Sequence, residues 1–192
     1  MQKFFKLFYI ISIVEKILSS GALYFARKGE FDSVIQLIRK NTKRIQINEV
    51  DRECRTILSY ASEKGDPNLT RLCLTLKADP RISDKNGVSP LMYSSKNGNT
   101  ECTETISSTL LGRESINFLD KEGWTALMHG ARFGRRCDVI ILLRKGADKT
   151  LKNKENLDSR AIARINGWKE LSIYIKEYTN GDVKAIKKEL RK

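Results

Sequence analysis

The amino-acid sequence predicts an all-α solenoid of stacked helix–turn–helix units that are joined by β-hairpin-like fingers. The first observation behind this prediction is a set of five glycines at separations of 36, 33, 36 and 33 residues. A period near 33 is that of one helix pair plus a turn. We name these residues the anchor glycines, and they are Gly29, Gly65, Gly98, Gly134 and Gly167.

Three further columns of the sequence keep register with the anchor glycines. Nine residues before each glycine is a strong helix N-cap former, and these are Ser20, Thr56, Ser89, Thr125 and Asp158. Eight residues after each glycine is an apolar residue: Leu37, Cys73, Ile106, Leu142 and Ile175. Four residues before each glycine are Phe25, Ala61, Ser94, Gly130 and Ala163, four of which are small. Small residues there let adjacent helices approach closely, which favours stacked units.

The clearest unit spans residues 120–151. Thr125 can cap a short helix by accepting hydrogen bonds from free backbone amides, and Gly134 can end that helix in a left-handed conformation. A second amphipathic helix follows and closes at Gly146. The unit therefore predicts a short helix, a turn and a second amphipathic helix.

Turn sequences directly precede the caps and predict the fingers. Asp84–Gly87 and Asp120–Gly123 carry a turn-forming Asp and a glycine. Asp51–Cys54 and Asn153–Asn156 occupy the same place without the glycine.

These motifs resemble the ankyrin-repeat family, whose pattern is DxxGxTPLHxAxxxGHxxVVxLLLxxGAD. From Asp84 the chain reads GVSPLMYSSKNGN, and from Asp120 it reads GWTALMHGARFG followed by VIILLRKGAD. A looser match, TILSYASEKGD followed by KAD, begins at Thr56. The wording TALM in place of TPLH resembles ankyrin-only proteins of single-celled eukaryotes.

The resemblance divides the chain into segments. We expect an irregular repeat over 20–50, full repeats over 51–83, 84–119 and 120–152, a capping repeat over 153–178, and a basic tail over 179–192. Terminal repeats of solenoids are atypical because one of their faces meets solvent. Two departures fall in these terminal units: Phe25 is large where the family is small, and Arg160 replaces a leucine. The family's histidine after the leucine is replaced by Ser59, Met92 and Met128, while His129 comes one place later, which leaves its usual turn hydrogen bond open.

Residues 1–19 form an apolar N-terminal segment with two interpretations. Its run Phe4–Val14 is too short to span a bilayer, which takes about 20 apolar residues. It could be a signal-peptide core between Lys3 and the small residues Ser19–Ala22, or a helix that covers the open end of the solenoid. The second interpretation agrees with a cytoplasmic or nuclear protein, which the scattered cysteines also favour.

No catalytic constellation stands out in the sequence. It has no phosphate-binding glycine loop or kinase signature, a single histidine, and four cysteines without metal-ligand spacing. We therefore predict a non-enzymatic protein without a metal or another cofactor.

The formal charge of +13 favours an acidic partner, although the basic residues are spread along the whole chain. The resemblance implies a protein-binding scaffold, monomeric, whose concave groove is formed by finger tips and first helices. The alternatives are a binder of nucleic acid or anionic membrane, and a regulatory fragment of a longer kinase-like protein. Carried over position by position, the predicted partner-binding residues are Arg52, Arg55, Lys64, Lys85, Asn86, Val88, Lys96, Lys121, Glu122, Trp124, Arg132, Phe133 and Lys154.

Overall fold

A computed structural model describes residues 2–41 and 45–179, with side chains from residue 13 onward. The predicted basic tail lies outside the described residues from residue 180. Within them the chain is all-α, as predicted, with eleven helices and an isolated antiparallel bridge between Lys152 and Asp158. The helices are α1 (Gln2–Lys28), α2 (Phe31–Asn41), α3 (Ile57–Lys64), α4 (Pro67–Thr75), α5 (Pro90–Asn97), α6 (Thr100–Ser108), α7 (Leu110–Glu114), α8 (Ala126–Arg132), α9 (Arg136–Arg144), α10 (Ser159–Ile165) and α11 (Lys169–Glu177).

The helices stack in two layers. The first helices of successive units pack in series, with α1 against α3, α3 against α5, α5 against α8 and α8 against α10. The second helices α4, α6 and α9 form the other layer in the same way. The short helix α7 packs on α6 and accounts for the longer spacing of that unit.

Local capping explains where four of the first helices begin. Thr56, Ser89, Thr125 and Asp158 each accept a hydrogen bond from the backbone amide three residues later. The prediction for Ser20 is wrong, because this residue lies inside α1. The residues before Ser20 form a continuous helical run without a breaker, so no new N-terminus arises there. The predicted boundary between residues 19 and 20 therefore falls within a helix.

The anchor glycines are all left-handed, with φ between 64° and 86°. An added Cβ would meet the residue that follows the next anchor glycine: Asn99 for Gly65 and Trp168 for Gly134, both at 2.5 Å. At Gly29 and Gly167, no described residue other than the chain neighbours has an atom within 4 Å of the same position. The interior units are therefore closed over their glycines by the next unit, and the terminal units are open.

The core runs between the two helix layers. Among the predicted apolar residues, Cys73, Ile106, Leu142 and Ile175 are buried, and Leu37 packs at the edge of the core. The predicted small residues Ala61, Ser94 and Ala163 are fully buried. At Gly130, an added Cβ would lie 2.7 Å from Ser95 Oγ of the neighbouring first helix. The two helices can therefore approach this closely only because residue 130 has no side chain.

The N-terminal helix contributes to this core. Ala22, Leu23 and Ala26 of α1 are buried against α2 and α3. In the part of the chain that the structure describes, no helix is both long enough and apolar enough to cross a membrane.

Candidate protein-binding surface

Four fingers precede α3, α5, α8 and α10, and each one turns on a single side chain. In the second finger, Asp84 Oδ1 accepts hydrogen bonds from the amides of Asn86 and Val88 at 2.8 and 2.9 Å. The first residues of the other fingers accept the same two bonds, and these residues are Asp51, Asp120 and Asn153. The fourth residue of each turn is left-handed: Cys54, Gly87, Gly123 and Asn156. The first and last fingers therefore form the same turn without glycine.

The fingers are hydrogen-bonded to one another along the solenoid. The bonds run from the amides of Lys85, Lys121 and Lys154 to the carbonyls of Glu53, Asn86 and Glu122, at 2.8 to 3.2 Å. A Cβ at Gly87 or Gly123 would lie about 3.1 to 3.2 Å from backbone atoms of the next finger. The finger tips are therefore one continuous, ordered edge.

A second carboxylate oxygen ties three fingers to their first helices. Asp84 Oδ2 accepts from the Tyr93 hydroxyl at 2.6 Å, and Asp51 and Tyr60 form the same pair. In the fourth unit the partners are Asp120 Oδ2 and His129 Nε2, 3.0 Å apart. His129, whose turn hydrogen bond the sequence left open, therefore does bond to its turn. In the two preceding units a tyrosine takes the place of this histidine. The signal that sequence reasoning missed is an Asp followed nine residues later by Tyr or His.

Burial and hydrogen bonding act in opposite directions on the Asp120 carboxyl. Burial alone raises the pKa of Asp120, but the hydrogen bonds from His129 and from the amides of Trp124 and Glu122 outweigh it and lower the pKa. The Asp120 carboxylate is therefore stabilised in the folded protein, and the ring of His129 is held by it beside Trp124. The two rings lie 5.5 Å apart between centroids, at 34°.

Four predicted residues meet on the first-helix side of the central repeats. Arg132 Cζ lies 5.1 Å from the Trp124 ring centroid and 5.6 Å from that of Phe133. Lys96 Nζ of the preceding unit lies 6.0 Å from the Phe133 ring. We name Lys96, Trp124, Arg132 and Phe133 the aromatic–cation cluster. Lys96 and Arg132 are exposed, and Phe133 is 38 % exposed, so the cluster is accessible to a partner.

Trp168 supports this cluster from the next unit. Its indole N–H donates to the Arg132 carbonyl at 3.1 Å, and its ring covers Gly134. Trp168 is 43 % exposed. It packs on the neighbouring unit with one side of the ring and leaves the rest of the ring in solvent.

Arg55 is a predicted partner-binding residue that the structure uses internally. Its guanidinium lies 4.1 and 4.3 Å from the ring centroids of Tyr60 and Tyr93, in neighbouring units. It also pairs with Glu63 at 2.8 Å, and its side chain is only 13 % exposed. Because its cation is already enclosed by two rings and a carboxylate, Arg55 is a stacking contact between repeats.

The other predicted residues are distributed along the finger edge and the first helices. The exposed ones are Arg52, Lys64, Lys85, Asn86, Lys121, Glu122 and Lys154. Lys85 pairs with Glu53 at 3.5 Å and Lys154 with Glu122 at 3.6 Å. Positive and negative side chains therefore lie side by side at the finger tips. Val88 is partly buried against the core and positions its finger.

Rigid fingers on a double layer of helices define a helical-repeat scaffold. The family described as "Ankyrin repeats (3 copies)" matches residues 58–153, which is half of the chain. The chain belongs to the ankyrin-repeat family. Members of the family generally mediate protein–protein interaction and are generally non-catalytic.

Similar proteins have diverse names. The chain is 26 % identical over 118 residues to "Probable 26S proteasome regulatory subunit p28" of Saccharomyces cerevisiae, covering 61 % of this chain and 51 % of the relative. It is 31 % identical over 138 residues to the human transient receptor potential cation channel subfamily A member 1, covering 70 % and 11 %. A 57-residue match to the human NAD-capped RNA hydrolase NUDT12 is 39 % identical and covers 30 % and 12 %.

The chain thus spans about half the length of the first of these relatives and about a tenth of the other two. A proteasome subunit, a channel and a hydrolase share this region although their names describe different functions. What they share with this chain is the repeat.

Proposed function

We propose that this chain is a non-enzymatic adaptor that binds an acidic segment of a partner protein along its fingers and first helices. The observation that carries the proposal is the aromatic–cation cluster. An exposed arginine between Trp and Phe rings combines the residue types that dominate interface energies. The finger edge beside it is preordered by its own hydrogen bonds, so binding costs little conformational entropy.

Charge supports an acidic partner at this surface. Arg132 and Lys96 are held by the faces of aromatic rings, which leaves their outward N–H groups available to carboxylates. Arg52, Lys64 and Lys121 extend the same exposed surface. Association should therefore be fast at low salt and should weaken as salt rises.

The proposal includes a monomeric adaptor that works in the cytoplasm or nucleus. All four cysteines are free, which agrees with a reducing compartment. Burial raises the pKa of the Cys73 thiol to about 12, so this thiol stays protonated and packs as an apolar group.

A matched pair of double variants tests the binding surface. Arg132→Ala with Phe133→Ala removes the centre of the aromatic–cation cluster. Arg113→Ala with Phe118→Ala removes the same residue types elsewhere, and Phe118 is 40 % exposed, close to the 38 % of Phe133. Affinity capture at low and moderate salt should recover proteins that the first variant loses and the second retains, and calorimetry with the purified protein should show a loss of about tenfold or more.

Two results would contradict the proposal. One is equal capture by the cluster variant and the control. The other is capture of bulk nucleic acid that falls steeply with salt and ignores both variants, which would favour the polyanion-binding alternative.

A further inference from the structure

The outer face of the last unit has an unusual composition for the end of a solenoid. Terminal repeats need a polar outer face for solubility. On α11, however, Ile173 is 54 % exposed, and Ile165 at the end of α10 is 64 % exposed. The last helix pair therefore presents apolar side chains to solvent on a face where polar side chains are expected.

Ile173 lies in a groove between α10 and α11. The cavity has a volume of about 470 Å³. We name it the C-terminal groove, and its lining includes Arg160, Arg164, Lys169, Ile173, Lys176 and Glu177. Arg160 and Arg164 are one turn apart on α10, while Ile173 lies between Lys169 and Lys176 on α11. The apolar side chain of Ile173 is thus bordered by cations from both helices.

The cations of this groove are available for a ligand. Arg160, Arg164, Lys169 and Lys176 are all exposed, and no ion pair to them is found within the described part of the chain. Glu177 is the single carboxylate along the described lining. Elsewhere in the molecule several exposed cations have acidic partners, for example Arg71 with Glu101 at 2.7 Å. Four exposed cations without an acidic partner among the described residues therefore meet at this groove.

We propose that the C-terminal groove binds an acidic segment of a partner protein, with one apolar side chain on Ile173 and carboxylates on the flanking arginines and lysines. This site is separate from the aromatic–cation cluster, and the inference does not depend on the function proposed for that cluster. The partner's carboxylates would stand three or four residues from its apolar anchor if the segment is helical, because these positions share a helix face. Arginine forks on α10 suit bidentate carboxylate contacts.

Charge argues against two other occupants. The chain's own residues 180–192 include five basic and two acidic residues, so they would bring like charge to the groove. A second copy carries the same net charge of +13 and is repelled in the same way.

Shape and composition argue against two non-protein ligands. Among the described residues that line the groove there is no aromatic ring on which a nucleic-acid base could stack. A bilayer surface is broad, whereas the exposed apolar surface of this groove is one isoleucine, Ile173, in a concave site. A peptide segment fits the arrangement of charged and apolar side chains along the groove.

The test starts from a random 16-residue peptide display library, selected on the full chain and counter-selected on Arg164→Glu with Lys169→Glu. We expect enrichment of peptides with several Asp or Glu residues around one aliphatic residue. A labelled enriched peptide is then titrated by fluorescence anisotropy at 50 and 200 mM salt. The groove variant and Ile173→Ser should each weaken binding by about tenfold, and the higher salt should weaken it as well.

The matched control is Arg132→Glu with Lys96→Glu, which makes the same charge change at the aromatic–cation cluster. It should change the peptide's affinity by less than about twofold. Circular dichroism melts identify any variant that fails to fold, and Ile173→Ser, at a half-exposed position, keeps the test decisive if the charge reversal unfolds the last unit.

Several outcomes would overturn the proposal. They are enrichment without acidic residues, equal losses for the groove and control variants, and displacement of the peptide by a 16-nucleotide RNA or by phosphatidylserine vesicles at equal charge concentration. Partner capture that the Arg132→Ala with Phe133→Ala variant leaves unchanged would contradict the adaptor proposal and leave this one intact.

Discussion

The interior units and the last unit share their local structure, namely the finger turn and the helix cap. They differ in the contacts that join the finger to the first helix and one unit to the next. All four fingers use the same turn, and the first helix that follows each finger has a side-chain cap. In the interior, Asp84 also accepts from Tyr93, whereas the last unit has Asn153 opposite the apolar Ile162. Likewise Gly134 is covered by Trp168, whereas no described residue beyond the chain neighbours covers Gly167.

The difference shows how a solenoid distributes its stability. Each unit contributes an intrinsic term and an interface term with its neighbours. The turn and the cap belong to the intrinsic term, so the last unit keeps them. The covering residue belongs to the interface, and the unit without a following neighbour loses it. A carboxylate without a hydroxyl or imidazole donor would be costly to bury, which explains why the last finger begins with a neutral amide.

The largest expected effect separates the two finger types. Asp84→Ala removes the acceptor for two amides and leaves the half-buried Tyr93 hydroxyl without its partner, so unfolding should become easier by about 3 kcal/mol. Asn153→Ala removes two amide bonds but also a buried Nδ2 that lacks a partner among the described residues, and should cost about half as much. Urea unfolding measures both, and equal losses would contradict the distinction.

A smaller effect is expected at the anchor glycines. Gly134→Ala forces a left-handed alanine and places Cβ against the Trp168 indole, which would also lose its bond to the Arg132 carbonyl. We expect about 2 kcal/mol of lost stability, against about 1 kcal/mol for Gly167→Ala, where only the backbone conformation is unfavourable. Thermal and urea unfolding of both variants measure the gap, and a gap of zero would show that Trp168 does not close the interior unit.

The smallest effect is a dependence on pH that only the interior fingers should show. Burial alone raises the pKa of Asp51, but hydrogen bonds from Tyr60 and two amides lower it overall, as happens at Asp120. A lowered folded pKa means that this stability is present above about pH 4 and is lost as the pH falls below it. We expect less than about 1 kcal/mol per carboxylate, since solvent screens both.

Alkaline pH acts on the same fingers from the other side. Burial, followed by the hydrogen bond to Asp51, raises the pKa of Tyr60 to about 12. The unfolded chain therefore loses its proton first, and stability declines as the pH rises from about 10 toward 12. Urea midpoints between pH 3 and pH 12 should show a shallower acid limb for Asp120→Asn and a shallower alkaline limb for Tyr60→Phe. Unchanged limbs would mean that these bonds contribute nothing.

Sequence reasoning found the repeat because its signals are local and periodic. The anchor glycines, four caps and the buried columns follow from backbone conformation and helix periodicity. It failed at Ser20, where a cap-forming residue is overridden by the continuous helix α1. It also missed the Asp–Tyr pairs, since those bonds join a turn to a helix face and the family histidine is displaced by one position.

The sequence by itself determined an ankyrin solenoid, the order of its helices and the residues of its fingers, because each is encoded within about 33 residues and then repeated. The fate of particular side chains was decided by contacts between units. Arg55 is enclosed by tyrosines of two repeats, while Arg132 is left exposed between two rings. Both arginines read alike in the sequence. Only the stacking of repeats, which brings together residues more than 30 positions apart, separates an enclosed cation from an exposed one.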